Sequence, residues 1–390
     1  MPGAVSSYRL RRAVAGVGTP ALRPDDIARL YHLDRFHARG IYGQGQRIGF
    51  VEFALPSSRD DALFWSKYSL RPELNTPARA VLLPRSRSSP AALGETDLDL
   101  QYAGALAPGA QLKAYVIDGG APLASFPPLL WGALRAAAAD GIRVVSISLG
   151  AGDADIGGCG PITDPISGTG WPDARTFCSE LDAWIRAQGM LCFVSAGDSG
   201  AYAAFPADSR VQASWPATQA AVIAVGGTQL AVPRDAASGE QAWGGQTLDP
   251  SAPGYDASNT LPLASGGGGA SAFLPAPDCQ LPLGVTFRMT PDVAAFAGPL
   301  VVVDRGTQIP VWGTSASAPI VAAIATLYGQ ATGRILDHTA LYAGARDVTT
   351  GNNYNDSLLR AGLGAFAVAG PGFDECTGMG VPDAASLPGC

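Results

Sequence analysis

The sequence of 390 residues is poor in histidine, in charge and in long hydrophobic runs. It has three histidines and no Cys-x-x-Cys pair, so the usual spacings of zinc sites are missing. No apolar stretch approaches the roughly 18 residues of a membrane span without a glycine, a proline or a charge. The net charge is −7 with no basic run, which argues against nucleic acid or an anionic membrane as a partner.

The composition otherwise indicates a large folded core. Hydrophobic residues make up 47% of the chain and charged residues 15%, which is too apolar a mixture for a disordered protein. The 49 glycines and 31 prolines follow no collagen-like period and therefore indicate many tight turns.

Six cysteines are present, and their spacing suggests two disulfides. Cys159–Cys178 and Cys376–Cys390 would each close a loop rich in glycine, proline and aspartate. Cys192 lies in an apolar run and is interpreted as a buried free thiol. Disulfides would indicate an oxidising compartment, although the N-terminal residues lack the apolar segment of a signal peptide.

Short apolar runs alternate with helical patterns along most of the chain. This alternation predicts an α/β fold: a doubly wound, mainly parallel sheet flanked by helices on both faces. Residues 1–18 are predicted to be a tail or linker, and residues 19–390 one domain. The predicted strands are RIGFVEFAL, AQLKAYVID, IRVVSISLG, MLCFVSAGDSG and AAVIAVGGT, and the predicted helices include PDDIARLYHL, ALGETDLDLQYAGALA, PLLWGALRAAAADG and ELDAWIRAQG.

A candidate nucleophile, Ser315, follows a Gly-Thr turn and opens an almost wholly apolar helix. Free N–H groups and the helix dipole at that position favour negative charge on an oxygen. A serine there is equally typical of a simple helix N-cap. A nucleophilic serine needs a base, yet His32, His37 and His338 all lie away from strand ends, where α/β sheets place their sites. We interpret all three as surface or packing residues.

Two carboxylates on a predicted helix offer another base. Glu95 and Asp99 are four residues apart and share one helix face, whereas Asp97 points elsewhere. A favourable interaction with the helix dipole explains Glu95 but not Asp99, which lies a turn further in. We therefore interpret Glu95 as the base for Ser315, with Asp99 behind it. A glutamate base stays ionised at pH values where histidine is protonated, so this arrangement predicts activity in acid.

Asp198 lies in SAGDSG, directly after a predicted buried strand. A protonated carboxyl group can donate a hydrogen bond to an oxyanion, and acid favours that form. The alternative is an ordinary turn aspartate at a strand end.

In combination, these features resemble the sedolisin family, the serine-carboxyl peptidases of subtilisin-like fold. The resemblance runs from about Thr19 to the C-terminus, and the order and joint presence of its motifs make it specific. The motifs are GQGQRIGFVEF, GETDLDLQYAGALAPGA, VVSISLG, FVSAGDSG, WPATQAAVIAVGGT, SGGGGAS, Pro291-Asp292-Val293, GTSASAP, ARDVTTGNN and AGPGFDECTGMG.

The resemblance implies a role for each candidate. Ser315 would be the nucleophile, Glu95 the base and Asp99 the carboxylate that orients it. Asp198 would be the oxyanion-hole acid. Glu52, at the end of the first strand of the sheet, resembles an auxiliary relay carboxylate; the alternative is a glutamate that faces solvent.

The resemblance also implies one structural calcium ion near the C-terminus. Two carboxylates and backbone carbonyls of glycine-rich turns suit Ca²⁺, whereas turn formation alone would also explain the aspartates. The matching positions are Asp347, Val348, Gly370, Gly372 and Asp374.

Three features depart from the family pattern. Trp312 stands where a small residue is usual and is expected to narrow the site or alter access to it. Leu149 stands where many members have tryptophan, so the substrate-binding wall is expected to differ. Only a short tail precedes Thr19, where the family has a long pro-domain, so a pro-domain would act in cis from a longer form or in trans.

These observations predict an acid-acting, secreted endopeptidase or tripeptidyl-type peptidase that cleaves proteins or peptides. Two alternatives remain at this point. One is a neutral, His-dependent subtilisin-like peptidase; the other is a catalytically inactive relative that binds peptides.

Overall fold

The computed structural model describes residues 6–7, 21–230, 239–245 and 264–389. Within these ranges, no helix has the length and apolar character needed to cross a lipid bilayer. The α-helices are α1 (Pro24–Leu30), α2 (Asp34–His37), α3 (Ser58–Tyr68), α4 (Leu93–Leu106), α5 (Phe126–Ala139), α6 (Asp153–Gly157), α7 (Ala174–Ala187), α8 (Thr314–Thr332), α9 (His338–Gly344) and α10 (Asp356–Arg360). Short 3₁₀ helices span Pro72–Leu74, Pro90–Ala92, Leu123–Ser125 and Asp278–Leu283.

The strands form one large sheet and several small ones. Their bounds are β1 (Ser6–Ser7), β2 (Arg47–Glu52), β3 (Arg79–Leu82), β4 (Gln111–Val116), β5 (Val144–Ile147), β6 (Leu149–Gly152), β7 (Ile162–Thr163), β8 (Gly170–Trp171), β9 (Leu191–Ser195), β10 (Ser214–Trp215), β11 (Ile223–Leu230), β12 (Glu240–Ala242), β13 (Gly269–Pro275), β14 (Phe287–Thr290), β15 (Val293–Phe296), β16 (Leu300–Asp304), β17 (Thr307–Val311), β18 (Ala345–Arg346) and β19 (Val381–Pro382).

The central sheet has the order β12-β11-β9-β5-β2-β4-β3, with β15 also paired to β11. All these pairs are parallel except β11–β12, which is antiparallel. The strands that follow β2 along the chain, β3 and β4, lie on one side of it, and β5 lies on its other side. The strand order therefore reverses beside β2, near the middle of the sheet. Parallel α/β sheets place their sites beyond the carboxyl ends of the strands at such a point.

Helices cover both faces of the sheet, as predicted. Successive strand residues point to opposite faces: Phe50 packs in the core with α4 and α8, and Val51 packs in the core with α5 and α7. The strand residues are nearly all buried, which explains why the strands read as continuous apolar runs instead of alternating patterns.

The helix N-termini differ between the surface and the site. On the outside, Ser57 and Asp173 cap α3 and α7 by accepting hydrogen bonds from Asp60 N and Thr176 N. The buried helices α4 and α8 have no capping side chain at their N-cap positions. Their N-terminal N–H groups are therefore available to other partners.

The predicted disulfides are wrong. Cys159 and Cys178 are both free, because Cys178 is buried beside Trp215 while the Cys159 thiol lies near the Asp155 carbonyl. Cys376 is also a free thiol, and Cys390 lies outside the described residues. The expectation that Cys192 is a buried free thiol is confirmed.

The region at 229–290 is irregular, as expected from its sequence. Its described parts contain β12, the antiparallel pair β13–β14 and a 3₁₀ helix. Residues 231–238 and 246–263 lie outside the described residues, as do residues 1–5 and 8–20 of the N-terminal segment. Within that segment, Ser6–Ser7 pairs antiparallel with Leu149–Gly150 of β6.

Candidate active site

Ser315 lies in the first turn of α8 and is 2% exposed. The turn into this helix needs glycine, since Gly313 has φ +156° and a side chain there would come within 3.0 Å of Asp198 Oδ2. The rest of α8 is mostly apolar and packs under the central strands, which holds the serine at a fixed place in the core.

Glu95 and Asp99 face this serine from α4, which packs directly against α8. Both carboxyl groups are buried, with Glu95 at 3% and Asp99 at 0% exposure. Within the described part of the chain, the carboxyl oxygens of Glu95 and the hydroxyl of Ser315 have no hydrogen-bond partner apart from each other. The candidate base and the candidate nucleophile are thus buried away from water, and no third group among the described residues binds them.

A third buried carboxyl, Glu52, lies behind this pair at the end of β2. It is 0% exposed, so the alternative that it faces solvent is wrong. Its Oε2 accepts a hydrogen bond of 3.1 Å from Thr96 Oγ1. Thr96 therefore holds Glu52 in the row formed with Asp99 and Glu95.

Burial raises the pKa of all three carboxyl groups, and neighbouring carboxyl groups add to this effect at Glu95 and Glu52. Burial is the main cause for Glu95, and the neighbouring Asp99 adds to it, so the pKa of Glu95 lies well above its usual range. Burial raises the pKa of Asp99 to about 8, against the opposing effects of Ser148 and Glu52. Burial, followed by repulsion from Asp99 and Glu95, also raises the pKa of Glu52. The three groups therefore retain protons over a range where separate carboxylic acids would be ionised.

Asp198 follows β9 and is fixed by the N-terminus of α8. Its Oδ1 accepts hydrogen bonds from Thr314 N at 2.8 Å and from Thr314 Oγ1 at 2.9 Å. The Thr314 hydroxyl also lies 3.1 Å from both Gly197 N and Gly197 O. These contacts place Asp198 against Thr314, the residue directly before Ser315.

The glycine-rich motif SGGGGAS supports the Asp198 loop. Gly267 N donates to Gly197 O at 2.6 Å, and a side chain at Gly267 would come within 2.1 Å of Ala196 O. Only glycine permits this close approach of two backbones.

The three histidines lie elsewhere. His32 contacts Asp383, His37 lies near the Leu106 carbonyl, and His338 lies near the Val222 carbonyl. No hydrogen bond joins any of them to Ser315 in the described ranges, which agrees with their interpretation as surface or packing residues.

Asp97 points away from Ser315, as predicted, and contributes to a second acidic cluster. It accepts a hydrogen bond of 2.9 Å from Ser57 N. Asp60 and Asp61 lie beside it at the start of α3, and both are buried. Burial raises the pKa of Asp97 to about 8, and the pKa of Asp61 is raised for the same reason. This cluster was not predicted from the sequence, because its members come from separate segments.

The predicted calcium ligands lie close together in the C-terminal region. Gly372 N donates to Asp347 Oδ2 at 2.8 Å, and Gly370 N donates to Asp374 Oδ2 at 3.1 Å. Thr377 links the Val348 carbonyl to Asp374. Among the described residues, no group of three or more His, Cys, Asp or Glu side chains is arranged to hold a metal. Backbone carbonyls would therefore have to supply most ligands.

Two residues that depart from the family pattern are packed into the protein. Trp312 lies against the small cluster of Trp243, Ala264 and Ala297. Leu149 is fully buried, directly after Ser148.

Sequence reasoning missed two residues that bind the carboxyl groups. Ser148 Oγ donates to Asp99 Oδ2 at 2.7 Å, and Thr314 holds Asp198. Both lie within quoted motifs, but only the tertiary structure shows which side chains they reach.

Comparisons with known proteins agree with this geometry. Residues 89–364 match the Subtilase family. The chain is 30% identical over 417 aligned positions to kumamolisin of Bacillus sp. (strain MN-32), covering 98% of this chain and 67% of kumamolisin. It is 31% identical over 317 positions to sedolisin of Pseudomonas sp. (strain 101), covering 75% of this chain and 48% of sedolisin. It thus spans between about half and two thirds of the length of these two relatives.

A more distant relative and a solved structure are also similar to this chain. Tripeptidyl-peptidase 1 of Dictyostelium discoideum is 24% identical over 398 positions, covering 97% of this chain and 60% of that protein. The solved structure of Pseudomonas sedolisin, a serine-carboxyl proteinase complexed with two molecules of pseudo-iodotyrostatin, has a TM-score of 0.69 at 24% identity. It covers 94% of this chain and 97% of that chain, which establishes the same fold.

The match to the Subtilase family and the shared fold define the class of this chain as serine-type peptidases of subtilisin-like fold. The candidate serine lies at the start of a buried helix, and the carboxyl groups that face it lie on the helix packed against it. Within that class the chain belongs to the sedolisin family, the serine-carboxyl peptidases.

The acidic cluster around Asp97 generates a prediction about stability. The pKa of Asp97 is about 8 in the folded chain against about 3.9 in an unfolded one, so the folded state holds this proton more tightly. The stabilisation is complete below the unfolded pKa and is lost as the pH rises towards 8. Asp97→Asn, which mimics the neutral form, should therefore raise the melting temperature at pH 7 and leave it nearly unchanged at pH 3.

Thermal unfolding at both pH values measures this, with the exposed Asp278→Asn as the control. An equal change in melting temperature at pH 3 and pH 7 would contradict the prediction.

Proposed function

We propose that this chain hydrolyses peptide bonds in acid through an acyl-enzyme on Ser315, with Glu95 as the general base. The observation that carries the proposal is that the Ser315 hydroxyl and both Glu95 oxygens face each other from packed helices with no other hydrogen-bond partner in the described residues. The substrates are proteins or peptides, cleaved either internally or as tripeptides from one end.

The proposed reaction proceeds in two halves. Ser315 Oγ attacks the peptide carbonyl and Glu95 takes its proton, which forms the C–O bond of a tetrahedral intermediate. Glu95 then returns the proton to the leaving amine as the C–N bond breaks. Water attacks the resulting ester with Glu95 again as base, which releases the acid product and restores Ser315.

Asp198 stabilises the negative oxygen of each intermediate. Its Oδ1 accepts from Thr314, so a proton on this carboxyl group belongs on Oδ2, which lies next to Gly313 at the start of α8. An ionised Asp198 cannot donate, so the reaction needs a pH at which this group is protonated.

Asp99 and Glu52 share protons with the base. In a coupled buried set, protons leave in steps that belong to the group as a whole. The first step places one charge on the row, shared through a proton between Glu95 and Asp99, while Glu52 keeps its own proton. The requirement for one charge on this row and a proton on Asp198 gives a bell-shaped pH profile.

The first test uses the nucleophile and the base. Hydrolysis of a denatured protein from pH 2.5 to 8 should peak below about pH 5 in the wild-type chain, because Asp198 can donate to the oxyanion only while it is protonated. Ser315→Ala and Glu95→Gln should each lower kcat by at least about 10³-fold, since each removes a partner of the proton transfer.

Ser317→Ala, two residues away, serves as the control. The Ser317 hydroxyl donates to the Ala295 carbonyl at 2.8 Å and so takes no part in the proposed proton transfer. Acid activity that survives Ser315→Ala contradicts the proposal, and so does a neutral optimum that survives Glu95→Gln. A folded wild-type chain that is inactive at every pH, with Ser315 unlabelled by a fluorophosphonate probe, would favour a peptide-binding relative.

A second test concerns Glu52 as an auxiliary relay residue. In acid, Glu52 is neutral and offers a hydrogen-bond donor towards Asp99. Glu52→Gln keeps a neutral donor and should retain kcat within about 3-fold, whereas Glu52→Leu removes it and should lower kcat by about 10-fold or more. Equal effects of the two substitutions on kcat would exclude this role.

The C-terminal residues fit one structural calcium ion. Their donor set consists only of oxygen: the carboxylates of Asp347 and Asp374 and the carbonyls of Val348, Gly370 and Gly372, which is the kind of set that Ca²⁺ prefers. The ion would supply charge that balances the two carboxylates and would tie the loop at 370–374 to β18. It takes no part in the proposed reaction.

Calcium should therefore stabilise the fold. At a calcium concentration of about 100 times Kd, binding should add about 2.7 kcal/mol to the free energy of unfolding. Asp374→Asn should abolish this increment, while Glu375→Gln, its exposed neighbour, should keep it. Unfolding measured with Ca²⁺ and with EGTA tests this, and an unchanged wild-type stability would contradict the site.

The acid chemistry and the family resemblance support action outside the cell, and residues 19–390 would form the catalytic unit. A pro-domain, in cis in a longer form or supplied in trans, would assist folding.

A further inference from the structure

We propose that Ser148 is a positioning residue that couples the protonation state of Asp99 to the backbone of the nucleophile, Ser315. The inference rests on the proposed function and adds a residue to it.

The backbone carbonyl of Ser315 lies in the first turn of α8, four residues before a proline. In an α-helix the carbonyl of residue i accepts from the N–H of residue i+4. For Ser315 that residue is Pro319, which lies inside α8 and has no N–H. The carbonyl of the nucleophile thus lacks its regular helical partner.

The second step concerns the position of Ser148, which lies between β5 and β6. Its Oγ lies 2.7 Å from Asp99 Oδ2 and 3.2 Å from the Ser315 carbonyl oxygen. Ser148 is completely buried, so water does not compete for these contacts. One hydroxyl therefore bridges the carboxyl group behind the base and the backbone of the nucleophile.

The third step is that a hydroxyl has one proton and can also accept. When Asp99 is ionised, Ser148 donates to Asp99 Oδ2. When Asp99 is protonated, it donates to Ser148 Oγ, and the Ser148 proton turns to the Ser315 carbonyl. The bridge thus has two states, and the proton on Asp99 selects between them.

The groups around Asp99 determine when this change happens. Glu52 faces it from β2 and Glu95 from its own helix, while Asp198 acts on Glu95 from the loop after β9. All are carboxyl groups, so a proton taken up by Glu95 during the reaction is shared with Asp99. The start of α8 is then held by Ser148 at the moment when Ser315 has lost its own proton.

Two substitutions should have opposite effects. Ser148→Ala removes the donor that stabilises ionised Asp99, so the acidic limb of the kcat/KM profile should move up by about one pH unit. Pro319→Ala gives the Ser315 carbonyl a helical partner and leaves the Ser148 proton with Asp99, so the same limb should move down. Both should lower kcat about 10-fold with KM nearly unchanged, because the coupling is lost in each.

Ser148→Thr keeps the hydroxyl and should restore the profile. Ser146→Ala is the matched control, because the Ser146 hydroxyl is buried in β5 without a partner among the described residues. If Ser148→Ala does not fold, the test uses the acidic limb of Pro319→Ala, which should move to lower pH, and that of Ser148→Thr, which should stay at the wild-type pH.

Acidic limbs that move in the same direction, or that stay at the wild-type pH, would overturn the inference. So would a loss of kcat that is equal at every pH and equal in Ser146→Ala, which would indicate packing alone. These outcomes require a wild-type chain whose acid activity depends on Glu95. An inactive wild-type chain, or one whose activity survives Glu95→Gln, would instead overturn the proposed function.

Discussion

The packing of α4 against α8 is the constraint on which the site depends. It brings Glu95 and Asp99 to the first turn of the helix that carries Ser315, in a region from which water is excluded. Burying ionisable groups is costly unless they share protons or find partners. The row of Glu52, Asp99 and Glu95 meets this cost by holding protons, which suits it to chemistry in acid.

The N-termini of the helices also differ between the surface and the core. The outer helices α3 and α7 begin with capping side chains, while the N-terminus of α8 is bound by Asp198 and has no cap of its own. The first turn of α8, which a local side chain could otherwise cap, thereby positions an acid from the loop after β9. Pro319, in the same helix, has no N–H for the Ser315 carbonyl, and the Ser148 hydroxyl donates to that carbonyl instead.

Local patterns were enough to predict the alternation of strands and helices, the helix of Glu95 and Asp99, and the turn before Ser315. These features depend on periodicity and on glycine positions within a few residues. The disulfides failed for the opposite reason. A short sequence gap does not show where two thiols point, and Cys178 points into the core.

The sequence by itself determined which residues are the candidates for the chemistry, because Ser315, Glu95, Asp99 and Asp198 stand in specific short motifs. The tertiary structure alone decided how these groups act on one another. Burial of Glu52, the acidic cluster of Asp97, and the contacts of Ser148 and Thr314 join segments distant along the chain. Charge interactions in a low dielectric depend on distance and solvent exclusion, and neither is written in a local pattern of residues.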